Sequence, residues 1–412
     1  MSDSSRESAE KIARMRARGV STRSFWLSDR EALLGVVFGL LVIGTINIFS
    51  SSFFLGITDF DSPYFFLKKH LINVVIGMIA FGVFQWLDYH KLRNFITPAT
   101  AGVIVMLVMV FIVGEEVNGA KRWLRLGPVT LQPSEFAKLI TILITAAVAA
   151  QGERLKQWKD YLGQGGLVMA VTVLVEQEPD GATAAIVAGI PAVMLLCSAL
   201  PGYVKKNLFM GAMGMGAIIL MMQPYRIKRF ISFLDPWSDP DDAGYQIIQS
   251  MSAIGSGGWM GMGVGQGISK YKYLPEAHTD FAFSIWCQEQ GFAGAVLVFI
   301  CFLALAYYGQ RISYKAKDAF GQFLAAGITF LLVGQGVVNM LMIAGFFPVV
   351  GVPLPFISYG GTSLMVTMAA VGMLSNISIH NEEKNKRPMT AKMPPAREPQ
   401  GRPQLRLVYS RK

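Results

Sequence analysis

Long apolar segments alternate with short polar connectors along the whole chain, and this pattern predicts a bundle of membrane-spanning helices. The ten predicted spans are residues 33–52, 69–87, 95–114, 136–151, 164–178, 183–200, 207–223, 282–308, 320–344 and 361–379. About 20 apolar residues in a helix cross the hydrocarbon core, and a helix satisfies its backbone polar groups within the segment. We therefore expect an all-α polytopic membrane protein with about ten transmembrane helices.

The charges of the connectors predict how the bundle is oriented. Basic residues gather at the N-terminus, in alternate connectors and after residue 380, and loops on the cytoplasmic side carry such an excess of Lys and Arg. Both termini are therefore expected in the cytoplasm. Residues 1–32 form a basic cytoplasmic segment, 33–380 the membrane domain, and 381–412 a basic tail that we expect to be disordered.

Composition agrees with a membrane protein. Hydrophobic residues make up 52% of the chain and charged residues 16%, whereas soluble proteins average about 25% charged. The net charge of +10 would alone suggest a nucleic-acid partner, but its concentration in alternate connectors argues against one. The three cysteines, Cys197, Cys287 and Cys301, have neither metal-ligand nor disulfide spacing.

The connector between spans seven and eight, residues 224–281, is the one large outward loop. It combines a half-apolar helical stretch at 246–254 with a glycine-rich segment at 255–265, a composition too apolar for disorder. We expect the loop to be partly re-entrant and to pack on the bundle. Gly257, Gly261 and Gly265 recur every fourth residue, a spacing that favours close packing over ligand contact.

The end of this loop, residues 274–281, carries Glu276, His278, Thr279 and Asp280 directly before span eight. Ionisable groups at the edge of an apolar segment are costly and usually functional. Thr279 or Asp280 could cap the helix, and a partly desolvated Asp280 could act as a general base. Both roles remain open on the sequence alone.

The end of this loop is one of several short polar segments, here called polar islands, on the outward side. A second polar island contains Lys121, Arg122 and Trp123. These side chains could bind a phosphate or pyrophosphate, or form an aromatic belt with snorkelling cations. Glu135 and Lys138 follow at the start of span four, three residues apart on one helix face, where they could pair. Lys138 lies inside an apolar segment, so it either snorkels or meets an anion.

Two further islands complete the outward rim, at residues 178–183 and 353–363. The second holds two prolines and a Gly pair beside Ser358 and Tyr359, so it cannot be continuous helix. Broken backbone at membrane depth is tolerated where it lines a cavity. Because all these islands fall on one side, they predict an enzyme that acts on a lipid-borne substrate.

Six motifs in order make the chain resemble the SEDS family, the polytopic peptidoglycan glycosyltransferases that include FtsW, RodA and SpoVE. The motifs are residues 119–124, 132–138, 178–183, 233–237 with 244–246, 274–281, and 353–361. The 347–353 and 378–380 segments are similar to RodA, whereas 233–246 and 273–281 are more similar to FtsW.

The resemblance implies polymerisation of lipid II into β-1,4-linked glycan outside the bacterial cytoplasmic membrane, for cell division or elongation. Asp280 matches the family's catalytic acidic residue. In the implied inverting transfer, Asp280 takes the proton from the acceptor sugar and undecaprenyl pyrophosphate leaves. Arg122 and Lys138, and more weakly Lys121, are the expected cations at that leaving group. Trp123, Glu135, Ser358 and Tyr359 are expected to contact substrate, and Glu276 and His278 to support Asp280.

The same mechanism allows a divalent cation, Mg²⁺ or Mn²⁺, on the pyrophosphate, and needs no organic cofactor. The resemblance also implies a class B penicillin-binding protein as transpeptidase partner, together with other proteins of the division or elongation complex. Two rival functions are a lipid II flippase, which broken helices also fit, and a non-catalytic scaffold. A flippase would need polar groups on both faces, whereas here the islands lie on one.

Overall fold

The computed structural model describes residues 28–117, 119–127, 129–152, 159–221, 224–242 and 244–386. In these ranges the long helices are α1 (Asp29–Phe60), α2 (Phe65–Trp86), α3 (Tyr89–Val113), α4 (Pro133–Ala149), α5 (Lys159–Gln177), α6 (Gly181–Cys197), α7 (Gly202–Met221), α10 (Ala282–Lys315), α11 (Ala319–Ile343) and α12 (Gly361–Lys386). Two shorter helices, α8 (Pro224–Leu234) and α9 (Tyr245–Gly257), lie between α7 and α10.

Each predicted span falls on one of the long helices. Within the described ranges, six of them are long and apolar enough to cross a membrane: α1, α2, α3, α10, α11 and α12. Helix α6 is apolar but has only 17 residues. The chain is thus a multi-pass membrane protein, and the count of ten crossings stays a prediction.

The expectation of an all-α fold is wrong in one place. Strands β1 (Glu115–Val117), β2 (Ala120–Leu126) and β3 (Val129–Leu131) form a small antiparallel sheet in the order β1-β2-β3. Successive β2 side chains point to opposite faces, so Lys121 is exposed while Leu124 is buried. The sheet connects α3 to α4 and places part of the second polar island over the bundle.

Helix α10 is interrupted at Gly291, whose backbone is non-helical (φ 66°, ψ −163°). The carbonyls of Gln288 and Glu289 there accept hydrogen bonds from Met262 N at 3.1 Å and Gly263 N at 2.9 Å. The residues after the break donate in turn to the carbonyls at 258 and 259. The glycine-rich segment thereby satisfies the groups that the break frees.

The predicted close packing of the glycine segment is confirmed for two of its three glycines. A Cβ at Gly257 would lie 2.3 Å from the Cys287 carbonyl oxygen, and one at Gly261 2.2 Å from that of Glu289. Gly265 faces open space. The helical stretch predicted at 246–254 is confirmed by α9, but Gly261 lies beyond that helix with φ +79°, so its contact is made by a loop.

The ends of the chain differ from the predicted boundaries. Helix α1 begins with a capping box in which Ser28 and Glu31 bond each other's backbone N–H groups. Helix α12 continues to Lys386, so residues 381–386 are helical instead of part of a disordered tail. The remainder of that predicted tail, 387–412, and residues 1–27 lie outside the described residues.

Candidate functional site

A cavity of about 1310 Å³ opens where the polar islands meet. Its walls come from the end of the large loop, strand β2, the start of α6, helix α8, the segment 347–353 and the start of α12. These parts are far apart in sequence, and the bundle brings them to one end. All five predicted polar islands contribute lining residues, including Gln132 and Glu135 at the start of α4, so the prediction that they lie together is confirmed.

Asp280 lies at the wall of this cavity, two residues before the first residue of α10. Its carbonyl oxygen accepts a hydrogen bond of 2.8 Å from Asn339 Nδ2, which also donates to the Val352 carbonyl at 2.7 Å. Asn339 is fully buried on α11. One amide group therefore fixes both the backbone that carries Asp280 and the neighbouring segment 347–353.

The alternative role of Asp280 or Thr279 as a helix cap does not match the structure. The N-cap of α10 is Phe281, and among the described residues no side chain caps it. Thr279 Oγ1 instead donates to Glu276 Oε2 at 2.6 Å. The Asp280 carboxylate is thus free of a capping bond and available to a molecule in the cavity.

The surroundings of Asp280 favour its protonated form. Burial raises the pKa of Asp280 to about 7, helped by the negative charges of Glu276 and Asp180 and opposed by Arg229 and Arg122. A carboxyl group with a pKa near neutrality can both hold and release a proton at physiological pH. This is the property that a general base requires.

His278 supports the backbone beside Asp280. Its carbonyl accepts a hydrogen bond of 2.9 Å from Tyr359 N, and its ring packs against Phe66 and Tyr359 with centroids 4.9 and 5.7 Å away. Burial lowers the pKa of His278, against the charge of Glu276. The ring is therefore neutral at physiological pH and acts as a packed wall.

Arg122 is held in place by backbone carbonyls. Its Nε donates to the Glu178 carbonyl at 3.0 Å and its Nη2 to the Pro179 carbonyl. These bonds tie strand β2 to the turn before α6, whose first N–H groups are capped by Asp180 through Thr183 N at 3.1 Å. The guanidinium thus lines the cavity from a fixed position.

Glu178 lies fully buried beside that turn. Within the described part of the chain, neither carboxylate oxygen has a hydrogen-bond partner. Burial and the charge of Asp180 together raise the pKa of Glu178 to about 8, against the charge of Arg122. Glu178 is therefore neutral at physiological pH, and the charges that face the cavity here are those of Asp180 and Arg122.

The structure brings most of the predicted site residues to the cavity but not all. The predicted residues that line it are Arg122, Trp123, Glu135, Glu276, His278, Asp280 and Tyr359. Lys121, Lys138 and Ser358 are not among its lining residues. Lys121 is exposed on β2, and the Ser358 hydroxyl accepts from Leu354 N at 2.9 Å inside a turn.

The expected role of Lys138 at the leaving group does not match its position. Lys138 is 3% exposed, and its Nζ lies 2.7 Å from Glu135 Oε1 and 3.4 Å from Gln335 Oε1. A buried cation needs such partners. The predicted Glu135–Lys138 pair is thus confirmed, and Lys138 stabilises the packing of α4 on α11 instead of contacting substrate.

Arg229 is the cation that sequence reasoning missed. It lies on α8, lines the cavity and donates to the Val349 carbonyl at 3.4 Å. Helix α8 alternates basic and apolar residues at helical spacing, which is typical of a helix at a membrane surface. That pattern could have revealed Arg229, but α8 lies outside every apolar span.

Comparison with known proteins places the chain among bacterial cell-wall proteins. The family described as cell cycle protein, FtsW/RodA/SpoVE, matches residues 31–383. The chain is 38% identical over 346 residues to the probable peptidoglycan glycosyltransferase FtsW of a Geobacter species, covering 82% of this chain and 94% of that protein. It is 36% identical to stage V sporulation protein E of Bacillus subtilis, covering 82% and 94%.

Solved structures share the fold. A chain of a peptidoglycan synthase complex that coordinates polymerization and crosslinking is 26% identical, with a TM-score of 0.71 over 86% of this chain and 99% of that one. The rod shape determining protein RodA of Thermus thermophilus is 25% identical, with a TM-score of 0.63 over 85% and 96%. The similarity therefore extends over nearly the whole of each neighbour.

Proposed function

Because the chain belongs to the FtsW/RodA/SpoVE family, we propose that its cavity polymerises lipid II into β-1,4-linked glycan at the outer face of the bacterial cytoplasmic membrane. The chain is a peptidoglycan glycosyltransferase of cell division or elongation, as its relatives and structural neighbours are. The observation that supports the reaction most directly is Asp280, a carboxyl group of pKa about 7 at the wall of a large cavity with two guanidinium groups nearby.

The proposed reaction is a displacement with inversion at the donor sugar. The Asp280 carboxylate takes the proton of the 4-hydroxyl of an acceptor GlcNAc, and the freed oxygen attacks the anomeric carbon of the donor MurNAc. The bond to undecaprenyl pyrophosphate breaks, and the electron pair leaves with the pyrophosphate. One base is sufficient because a pyrophosphate leaves without protonation, unlike the sugar alcohol expelled by a glycoside hydrolase.

Arg122 and Arg229 are the proposed partners of the pyrophosphate. Both guanidinium groups line the cavity, and both lie near enough to Asp280 to lower its pKa. Guanidinium groups bind phosphate oxygens in a bidentate manner, and fixed cations stabilise charge that develops on a leaving group. Arg229 thereby takes the role first expected of Lys138.

A divalent cation, Mg²⁺ or Mn²⁺, fits the acidic side of the cavity. Asp180, Glu276 and Asp280 all line it, and oxygen ligands suit both ions. Asp180 and Glu276 are the carboxylates that would hold the ion, leaving Asp280 to act on the acceptor. When bound, the ion would supply further positive charge to the leaving group.

The proposed cellular setting follows from the same family. The basic connectors support a topology with both termini in the cytoplasm and the cavity on the outer side, where lipid II presents its sugars. The peptidoglycan synthase complex among the structural neighbours supports a class B penicillin-binding protein as partner. Other proteins of the division or elongation complex would bind the same assembly.

The test is polymerisation by the purified full chain with its transpeptidase partner, lipid II and Mn²⁺ or Mg²⁺. Glycan ladders are expected from the native chain, and none from Asp280→Asn. Glu116→Gln, which removes an exposed carboxylate of β1 outside the cavity, is the matched control and should keep the ladders.

Other outcomes would change the proposal in defined ways. Ladders from Asp280→Asn would remove Asp280 as the base. Transfer of labelled lipid II across vesicles without ladders would favour a flippase. Native protein that folds and binds its partner but shows neither activity would favour a scaffold.

A further inference from the structure

A second cluster of ionisable side chains lies at the opposite end of the bundle from the cavity. Helices α3, α11 and α12 each have one end near the cavity, and their other ends carry Asp88 and His90, Asp318, and His380. One ligand atom from each of Asp88, His90 and His380 lies within 4.8 Å of the other two. The sequence has only four histidines, and two of them meet here.

His380 places each of its ring nitrogens beside an oxygen atom. Its Nδ1 lies 3.0 Å from the Asn376 carbonyl oxygen, which can only accept a hydrogen bond, so Nδ1 carries a proton. Its Nε2 lies 3.7 Å from Asp88 Oδ1. A backbone carbonyl that fixes the tautomer in this way is typical of a histidine that binds metal through its other nitrogen.

His90 is in a similar situation on both sides. Its Nδ1 lies 2.7 Å from Asp88 Oδ1 and its Nε2 lies 3.5 Å from Asp318 Oδ1. Asp88 Oδ1 thus lies within 3.7 Å of one nitrogen of each histidine, and it also accepts a hydrogen bond from His90 N at 2.9 Å. Two imidazoles and a carboxylate that converge in this way can bind one cation between them.

Charge and spacing both suit a divalent transition metal. Asp88 and Asp318 contribute two negative charges, and Tyr89 donates its hydroxyl hydrogen to Asp318, which leaves that carboxylate oriented. Tetrahedral zinc with bonds of about 2.0–2.1 Å places its ligand atoms about 3.3 Å apart. The contacts of Asp88 Oδ1 with His90 and His380 are 2.7 and 3.7 Å, on either side of that value. Two imidazoles and a carboxylate are ligands that Zn²⁺ prefers over Mg²⁺ or Ca²⁺.

We propose that Asp88, His90 and His380 form a zinc-type metal site that ties the start of α3 to the end of α12, with Asp318 orienting His90. The site is distinct from the cavity, because α12 separates them by 19 residues between Gly361 and His380, about 28 Å of helix. Under the proposed topology it faces the cytoplasm. Its effect would be structural, because the metal would link the start of α3 to the end of α12, and Asp318 would add the start of α11.

The experiment uses the full chain without a polyhistidine tag, purified in detergent and stripped with a chelator. Titration with Zn²⁺, and with Co²⁺ followed by its ligand-field absorption, should show one site with tetrahedral Co²⁺ spectra. His90→Gln and His380→Gln should each weaken binding by about 100-fold or more. The melting temperature should rise with Zn²⁺ in the native chain and not in these variants.

Two controls separate this site from other metal binding. Asp280→Asn should leave the Zn²⁺ affinity unchanged, since the cavity does not supply the ligands. His70→Gln removes a histidine of α2 that bonds Thr45, and should also leave it unchanged. No binding by the folded native chain, or binding equal in the native, His90 and His380 variants, would overturn the proposal and leave a cluster of imidazolium–carboxylate pairs.

Discussion

The raised pKa of Asp280 predicts a pH dependence that an ordinary carboxylate would not give. Asp280 acts as a base only when ionised, so the rate should rise with pH through its pKa of about 7. The ionised fraction grows from about 0.09 at pH 6 to about 0.91 at pH 8, a rise of about ten-fold in rate. A carboxyl group at its usual pKa of about 3.9 is fully ionised over this range and would give a flat profile.

Charge variants should move this profile in opposite directions. Two negative charges raise the pKa of Asp280, and that of Glu276 has the larger effect. Glu276→Gln removes this charge, so the midpoint of the pH–rate profile should move to lower pH. Arg229→Gln removes a positive charge that lowers the pKa, so the midpoint should rise. The exposed Glu116→Gln control should leave the midpoint in place.

The assay is the initial rate of glycan formation from lipid II between pH 5.5 and 8.5, at fixed ionic strength and one fixed metal concentration. Because a bound cation would itself lower the pKa of Asp280, the midpoint is extrapolated to low metal before the variants are compared. The midpoint is read separately from the plateau, because Arg229→Gln should also lower the plateau through its lost pyrophosphate contact. A profile that is flat in the native chain, or midpoints that shift the same way in both variants, would refute the assignment of Asp280 as the titrating base.

Three further predictions concern the support of the site. Lys138→Met leaves Glu135 buried without its cation and should cost about 3–5 kcal/mol, seen as a lower melting temperature that Glu135→Gln in the same chain restores. Gly261→Ala should lower the melting temperature more than Gly265→Ala. Both glycines have a positive φ, so both substitutions share a backbone cost of about 1–2 kcal/mol. Only at Gly261 would the new Cβ lie 2.2 Å from a carbonyl oxygen of α10. Asn339→Leu should lower kcat with little change in KM, because it releases the backbone that carries Asp280; an unchanged kcat would exclude this positioning role.

The sequence predicted the long helices from their runs of apolar residues, and it pointed to Asp280 as a polar residue at the end of such a run. An ionisable residue such as Asp280 at the edge of an apolar segment is costly, so it stands out without any structure. The same rule also selected Lys138, where it misled. A buried ion pair and a substrate contact look alike in sequence, and only the distance to Glu135 separates them.

The sheet and Arg229 were missed for other reasons. Strand β2 has only seven residues, and its cationic side chains were interpreted as a binding site, so the strand itself was not predicted. Arg229 lines the cavity because α8 folds against the 347–353 segment. A contact between elements about 120 residues apart has no local signal in one sequence.

The hydrogen bonds of Arg122 fix the orientation in which its guanidinium could bind a ligand. Its Nε and Nη2 are already committed to the carbonyls of Glu178 and Pro179, so the plane of the guanidinium is set before anything enters the cavity. A pyrophosphate would meet the remaining N–H groups at one orientation, and the rotational freedom of the side chain has been lost on folding instead of on binding. Because the same bonds join the guanidinium to the turn before α6, a shift of that turn would also move the guanidinium and change how it meets the pyrophosphate.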